Sequence, residues 1–119
     1  MTYVDSFILP VAIRDVAAYT KVSRKMARVY MDLGAVEYRE WLADDVKPGK
    51  LTSFPQAVKL KPGETVVVAY IMFKSRAHRD KVQAKAMADP RMQALMPPGV
   101  IPVDGKRMVL GGFSSLISM

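Results

Sequence analysis

The stretch Thr65-Val66-Val67-Val68-Ala69-Tyr70-Ile71-Met72-Phe73-Lys74 decides the fold. It is apolar on both alternating faces, the pattern of a central strand covered on both sides. Residues 35–43 precede it as a second strand. Val36, Tyr38, Glu40 and Leu42 share one face there, and Glu37, Arg39 and Trp41 the other. Residues 15–33 predict a long helix, because Tyr19, Val22, Met26, Val29 and Leu33 recur at alternating spacings of three and four. Asp15 suits its first turn and Gly34 its C-terminal stop. Residues 2–10 predict a first strand, with Tyr3, Asp5, Phe7 and Leu9 on one face and Val4, Ser6 and Ile8 on the other. Pro10 ends that strand or marks an edge.

Beyond the central strand, Ser75 is a good N-cap for a second helix running to Ala88. Asp89-Pro90 interrupts it, and an apolar turn with Met92, Leu95 and Met96 follows. Pro97 to Pro102 is loop. Lys106 to Ile117 predicts the last strand, with a bulge or a close backbone approach at Gly111-Gly112. Residues 44–64 hold two Pro-Gly turns, and Phe54, Ala57 and Val58 predict a short helical turn or arm between them.

The order is β-α-β-β-α-β. Two right-handed crossovers in one sheet make it an α+β fold, the ferredoxin-like sandwich. Its four-stranded antiparallel sheet carries both helices on one face. Residues 1–119 are the length of one domain. The second sheet face cannot be fully polar, because the central strand is apolar on both sides. An exposed apolar face implies a partner, and a second copy packed sheet to sheet about a two-fold axis is the simplest one.

Composition narrows the chemistry. The chain has no cysteine and one histidine, so thiolate sites, disulfides and histidine relays within one chain are excluded. No metal site and no cofactor is expected from these residues. Eighteen Lys and Arg against eleven Asp and Glu give +7, a balance that favours anionic partners, nucleic acid included. The excess is spread along the chain with no run of five like charges, which points to a basic surface rather than a nucleic-acid footprint. No stretch approaches the roughly 18 apolar residues of a membrane span. Met1 to Asp5 has no basic segment leading into an apolar core, which predicts a cytoplasmic protein.

Two carboxylates stand on otherwise apolar strand faces, Asp5 and Glu40. Such charges are costly unless paired or set in a wet cavity, so each is either half of a salt bridge or a candidate acid or base. Arg107 opens the strand predicted to border the first, which makes Asp5–Arg107 a candidate pair; otherwise Arg107 would anchor an anionic ligand. The central strand separates Asp5 from Glu40 by about 10 Å, too far to share a proton. His78 is a third catalytic candidate by its titration range. The competing reading is a partly buried histidine that packs or hydrogen-bonds, and a haem ligand is the sharper alternative. Trp41 would wall a pocket. Asp44 and Asp45 are ligand-binding candidates on the following loop. The strand aromatics lack the basic-aromatic signature of RNA-reading sheets.

Tyr3-Val4-Asp5-Ser6-Phe7, Asp44-Asp45-Val46-Lys47-Pro48-Gly49-Lys50, Asp89-Pro90-Arg91-Met92, and Asp104-Gly105-Lys106-Arg107-Met108 followed by Gly111-Gly112-Phe113 resemble the YbaA-like bacterial proteins of unknown function. This chain carries extra residues around Pro97 to Pro102. The resemblance implies a dimeric α/β barrel, two ferredoxin-like protomers packed sheet to sheet, and it brings no catalytic residue. The wider barrel group includes cofactor-free monooxygenases, haem-degrading enzymes, dehydratases and small-molecule-binding domains, and fold alone does not choose among them. The resulting expectation is a cytoplasmic homodimer that binds a small molecule between sheet and helices or within the barrel, with cofactor-independent catalysis compatible. The rival is a nucleic-acid (RNA) or protein interaction module using the basic surface.

Overall fold

A computed structural model describes residues 2–119. Four strands form its sheet: β1 (Tyr3–Ala12), β2 (Glu37–Leu42), β3 (Glu64–Phe73) and β4 (Val109–Ser114). Four helices accompany them: α1 (Val16–Asp32), α2 (Phe54–Ala57), α3 (Arg76–Ala88) and α4 (Pro90–Gln93). The sheet order is β2-β3-β1-β4 and every neighbouring pair is antiparallel. This is the ferredoxin-like topology expected from the order of elements.

Register fixes the faces, since residues paired across antiparallel strands share one. Phe7 pairs Ala69 and Leu9 pairs Val67 from β1, and Glu40 pairs Ala69 and Leu42 pairs Val67 from β2. That face carries the helices. Phe73, Ile71, Val29, Val82, Ala86 and Met92 are buried in one cluster on it, and Leu9, Val11, Tyr19 and Val67 in another. Gly34 ends α1 at φ +108°, a conformation that glycine adopts without a Cβ penalty. The Ser75 hydroxyl accepts the His78 amide to start α3, and Asp89 likewise accepts the Arg91 amide to start α4.

The opposite face carries Val4, Ile8, Trp41, Val68, Tyr70, Met72, Val109 and Phe113. Trp41 is 47% exposed, Val68 38% and Phe113 58%. Trp41 lies against Tyr70 there, with ring centroids 5.4 Å apart. The Ser53 hydroxyl caps α2, and Val58 behind it is fully buried. The helix packs on β3 and covers only the Val66 end of the open face.

Two expectations change. The last strand is shorter than Lys106 to Ile117, because the Asp104 carboxylate accepts the Lys106 amide and winds Gly105–Arg107 into a 3-10 turn. The β1–β4 register runs unbroken through Gly111 and Gly112, so there is no bulge. The close approach is real instead. A Cβ on Gly112 would stand 2.8 Å from Cζ of Tyr3.

Candidate functional site

A cleft of about 330 Å³ opens between α1 and the edge strand β2. Its walls are mostly apolar, from Val16, Ala27, Leu42 and Val67. Among the described residues lining it, Glu40 is the only carboxylate and Arg24 the only basic side chain. The volume falls at the small end of the usual range of about 300–1,000 Å³ for ligand pockets.

Two phenols hold Glu40. Tyr19 of α1 donates to Oε1, and Tyr38, two residues away on the same strand face, donates to Oε2 at 3.2 Å. Burial pushes the Tyr19 and Tyr38 phenols well above their ordinary range, and the Glu40 charge pushes them further, so both stay protonated donors. Behind them the Tyr30 ring lies 6.1 Å from that of Tyr38, and its hydroxyl donates to Gln83 Oε1 of α3 at 2.7 Å. A seam of phenols therefore runs through the helix–sheet interface, hydrogen-bonded from Tyr19 and Tyr38 to Glu40 at the cleft and joined to Tyr30 by ring contact alone.

The other expected residues are dispersed. Asp5 lies on the helix face of β1, but its partner is not Arg107. The pair is Asp5–Arg79, whose guanidinium also holds Asp80 and stands 4.9 Å from the Tyr3 ring centroid. The physical reason is register: β4 pairs Gly112 with Asp5 and Val109 with Ile8, so Arg107, just before β4, falls beyond Ile8 towards the opposite end of β1. There Arg107 grips Glu64 with two bonds, Nη1–Oε1 at 2.6 Å and Nη2–Oε2 at 2.7 Å. It also donates to Asp104 at 2.9 Å and to the Lys59 carbonyl at 3.1 Å. Four of the five guanidinium N–H groups are thus engaged within the chain.

His78 accepts the Lys74 amide on Nδ1 at 3.0 Å and sets its ring edge-on to Phe73. In the neutral form this places the proton on Nε2. Its place is the junction of β3 and α3, away from the cleft. Asp44 and Asp45 are exposed on the loop after β2, and Asp44 borders a shallow apolar hollow with Val46, Phe54 and Val68. Trp41 borders the cleft from the strand edge while its ring lies on the open sheet face. No group of three His, Cys, Asp or Glu side chains able to hold a metal ion occurs among the described residues, and no helix there is long and apolar enough to cross a membrane.

Sequence reasoning missed Tyr19, Arg79 and Gln83 as polar partners. Tyr19 was absorbed into an apolar stripe. Arg79 and Gln83 carried a readable signal, since both fall at helical spacing with the buried Val82 and Ala86.

The fold defines the class, a ferredoxin-like α+β protein, here with one sheet face apolar and open. Solved structures agree on the fold. An uncharacterized NIPSNAP domain protein from Burkholderia xenovorans aligns with a TM-score of 0.63 at 17% identity, over 95% of this chain and 93% of that one. A putative antibiotic biosynthesis monooxygenase from Nitrosomonas europaea aligns with a TM-score of 0.58 at 14% identity, over 97% and 90%. Residues 2–105 match DUF1428, a family described as proteins of unknown function, and the chain belongs to it. The uncharacterized protein YbaA of Escherichia coli K12 is 40% identical over 117 residues, 98% of each chain.

Proposed function

We propose that this protein is a homodimer, joined through its open sheet face, that binds a small molecule in the α1–β2 cleft. The observation that carries the binding reading is the single carboxylate, Glu40, held by two phenols in a cleft whose walls are mostly apolar. A small apolar cavity with a few fixed polar groups is the usual form of a ligand site. The homodimer rests on the apolar open face, where Trp41, Val68 and Phe113 meet solvent in one copy. Any chemistry in the cleft would be acid–base chemistry without a cofactor, with Glu40 as the base and the phenols as donors. Asp5 and Arg107 serve as structural pairs in this reading, and His78 as a packing and capping residue. Native mass spectrometry of protein taken directly from cells tests both parts. A dimer carrying a discrete added mass, lost on filling the cleft with Ala27→Trp, is expected. A bare monomer would overturn the proposal.

A second reading has one observation behind it. Arg24, Lys25 and Arg28 of α1 and Arg91 of α4 surround a hollow over Ala94, Leu95 and Val100. Arg91 is paired with Asp32 and Asp89, while none of the ion pairs among the described residues includes the other three. This cluster suits an anionic partner such as RNA. Binding whose logarithm falls steeply with the logarithm of salt, abolished by Arg24→Glu with Arg28→Glu, would support it. No binding at low salt would remove it.

A further inference from the structure

We propose that the ligand of the α1–β2 cleft carries an ammonium group that docks on Glu40. This rests on the cleft being the binding site. The argument starts from an incomplete electrostatic account. None of the ion pairs among the described residues includes Glu40. The other strand-borne carboxylate on this sheet face, Asp5, has its arginine. Glu40 has two neutral phenols instead. An ionised carboxylate is acceptor-only and offers about four lone-pair sites, of which the phenols fill one on each oxygen. The unfilled sites belong to a fixed negative charge beside apolar walls. A charge in such surroundings interacts more strongly than in water and is costly without a partner.

The partner that fits is an organic cation with N–H donors. A metal ion would need further ligands, and no His, Cys, Asp or Glu group suited to one exists among the described residues. Arg24 is the one cation lining the cleft, and it is exposed at the rim, where water screens it. The half-buried Glu40 therefore sets the field inside. The apolar walls ask for a compact hydrocarbon body on the same molecule. Two hydrogen-bonded tyrosines fix the carboxylate in advance, so the ammonium meets an acceptor that needs no reordering.

Three probes of one shape separate the possibilities: 2-phenylethylammonium, 2-phenylethanol and 3-phenylpropanoate. Each is titrated into the whole protein at neutral pH and followed by amide chemical shifts. The ammonium is expected to bind at least tenfold more tightly than the alcohol, with the carboxylate weakest and the shifts centred on Tyr19, Tyr38 and Glu40. Glu40→Gln should remove most of the ammonium's advantage over the alcohol. Shifts in the cleft with the alcohol or the carboxylate binding as well as the ammonium would overturn the ammonium assignment and leave the cleft standing. No shifts in the cleft from any probe would overturn the cleft reading itself. The ranking on the unaltered protein decides the question even where Glu40→Gln fails to fold.

Discussion

Replacing Arg107 by alanine should cost about 2–3 kcal/mol at neutral pH without touching the cleft. The magnitude comes from Glu64. Hydrogen bonds from the Arg107 guanidinium, with a smaller share from the Lys61 amide and charge, lower its carboxyl from 4.5 to about 2. At ~1.4 kcal/mol for each tenfold, that difference is worth at most about 3.4 kcal/mol. Both side chains are well covered, Arg107 at 12% exposure and Glu64 at 14%, so solvent screening removes only part of it. Asp104 is 41% exposed and adds little. The carboxyl is depressed in the folded state, so its stabilisation is complete above its unfolded value and fades as pH falls from there towards about 2. Urea unfolding of both proteins between pH 7 and 3 is the assay. The gap should shrink below pH 4.5 and stand at roughly 1.4 kcal/mol or less by pH 3. In a chain of this length the neutral-pH loss corresponds to a fall of about 10 °C in Tm. A gap under ~0.5 kcal/mol at pH 7, the level of an exposed pair, would refute the clamp. So would a gap that does not change with pH.

Three further outcomes are expected. Gly112→Ala drives a Cβ into a Tyr3 ring that stands beneath the Arg79 guanidinium, and should destabilise by about 1–3 kcal/mol; the cost should largely vanish in a Tyr3→Ala background, and a cost that persists there would mean the strain lies elsewhere. Tyr19, Tyr30, Tyr38 and Tyr70 all have raised values, the first three chiefly by burial and Tyr70 chiefly by its bond to Glu37. The stability they give is therefore whole below the ordinary 10.0 and is lost as pH rises above it. Spectrophotometric titration should show most phenolate absorbance delayed past that value, whereas one full transition centred there would disprove the buried seam. Phe113→Lys on the open sheet face should turn a dimer into a monomer in sedimentation, while Met31→Lys, exposed on α1, should leave the mass unchanged; equal effects would refute the sheet-to-sheet dimer.

The architecture was readable because each signal had one physical solution. β3 is apolar on both faces, so it had to be central, and its flanking strands alternate cleanly enough to place Glu40 and Asp5 each on an otherwise apolar face. Gly34 and Ser75 marked a helix end and a helix start by the only chemistry they suit there. What was hidden were pairings between elements far apart in sequence. Asp5 could be assigned a charged neighbour, but choosing Arg79 over Arg107 required the β1–β4 register, which pairs Asp5 with Gly112 and leaves Arg107 towards the far end of β1. Glu40 was legible as an anomaly. Its holders were not, because Tyr19 fits an apolar helical stripe as well as a polar seam. A phenol serves both roles, and only the depth of α1 over β2 decides which.

The central claim is that the α1–β2 cleft is where this protein binds its ligand. A fragment library screened by amide chemical shifts on the whole protein tests it most directly. Bound fragments should converge on Tyr19, Ser23, Tyr38 and Glu40, the walls of that cleft. Convergence on the hollow beside Arg107 and Asp104, or on the one ringed by Arg28 and Arg91, would contradict it.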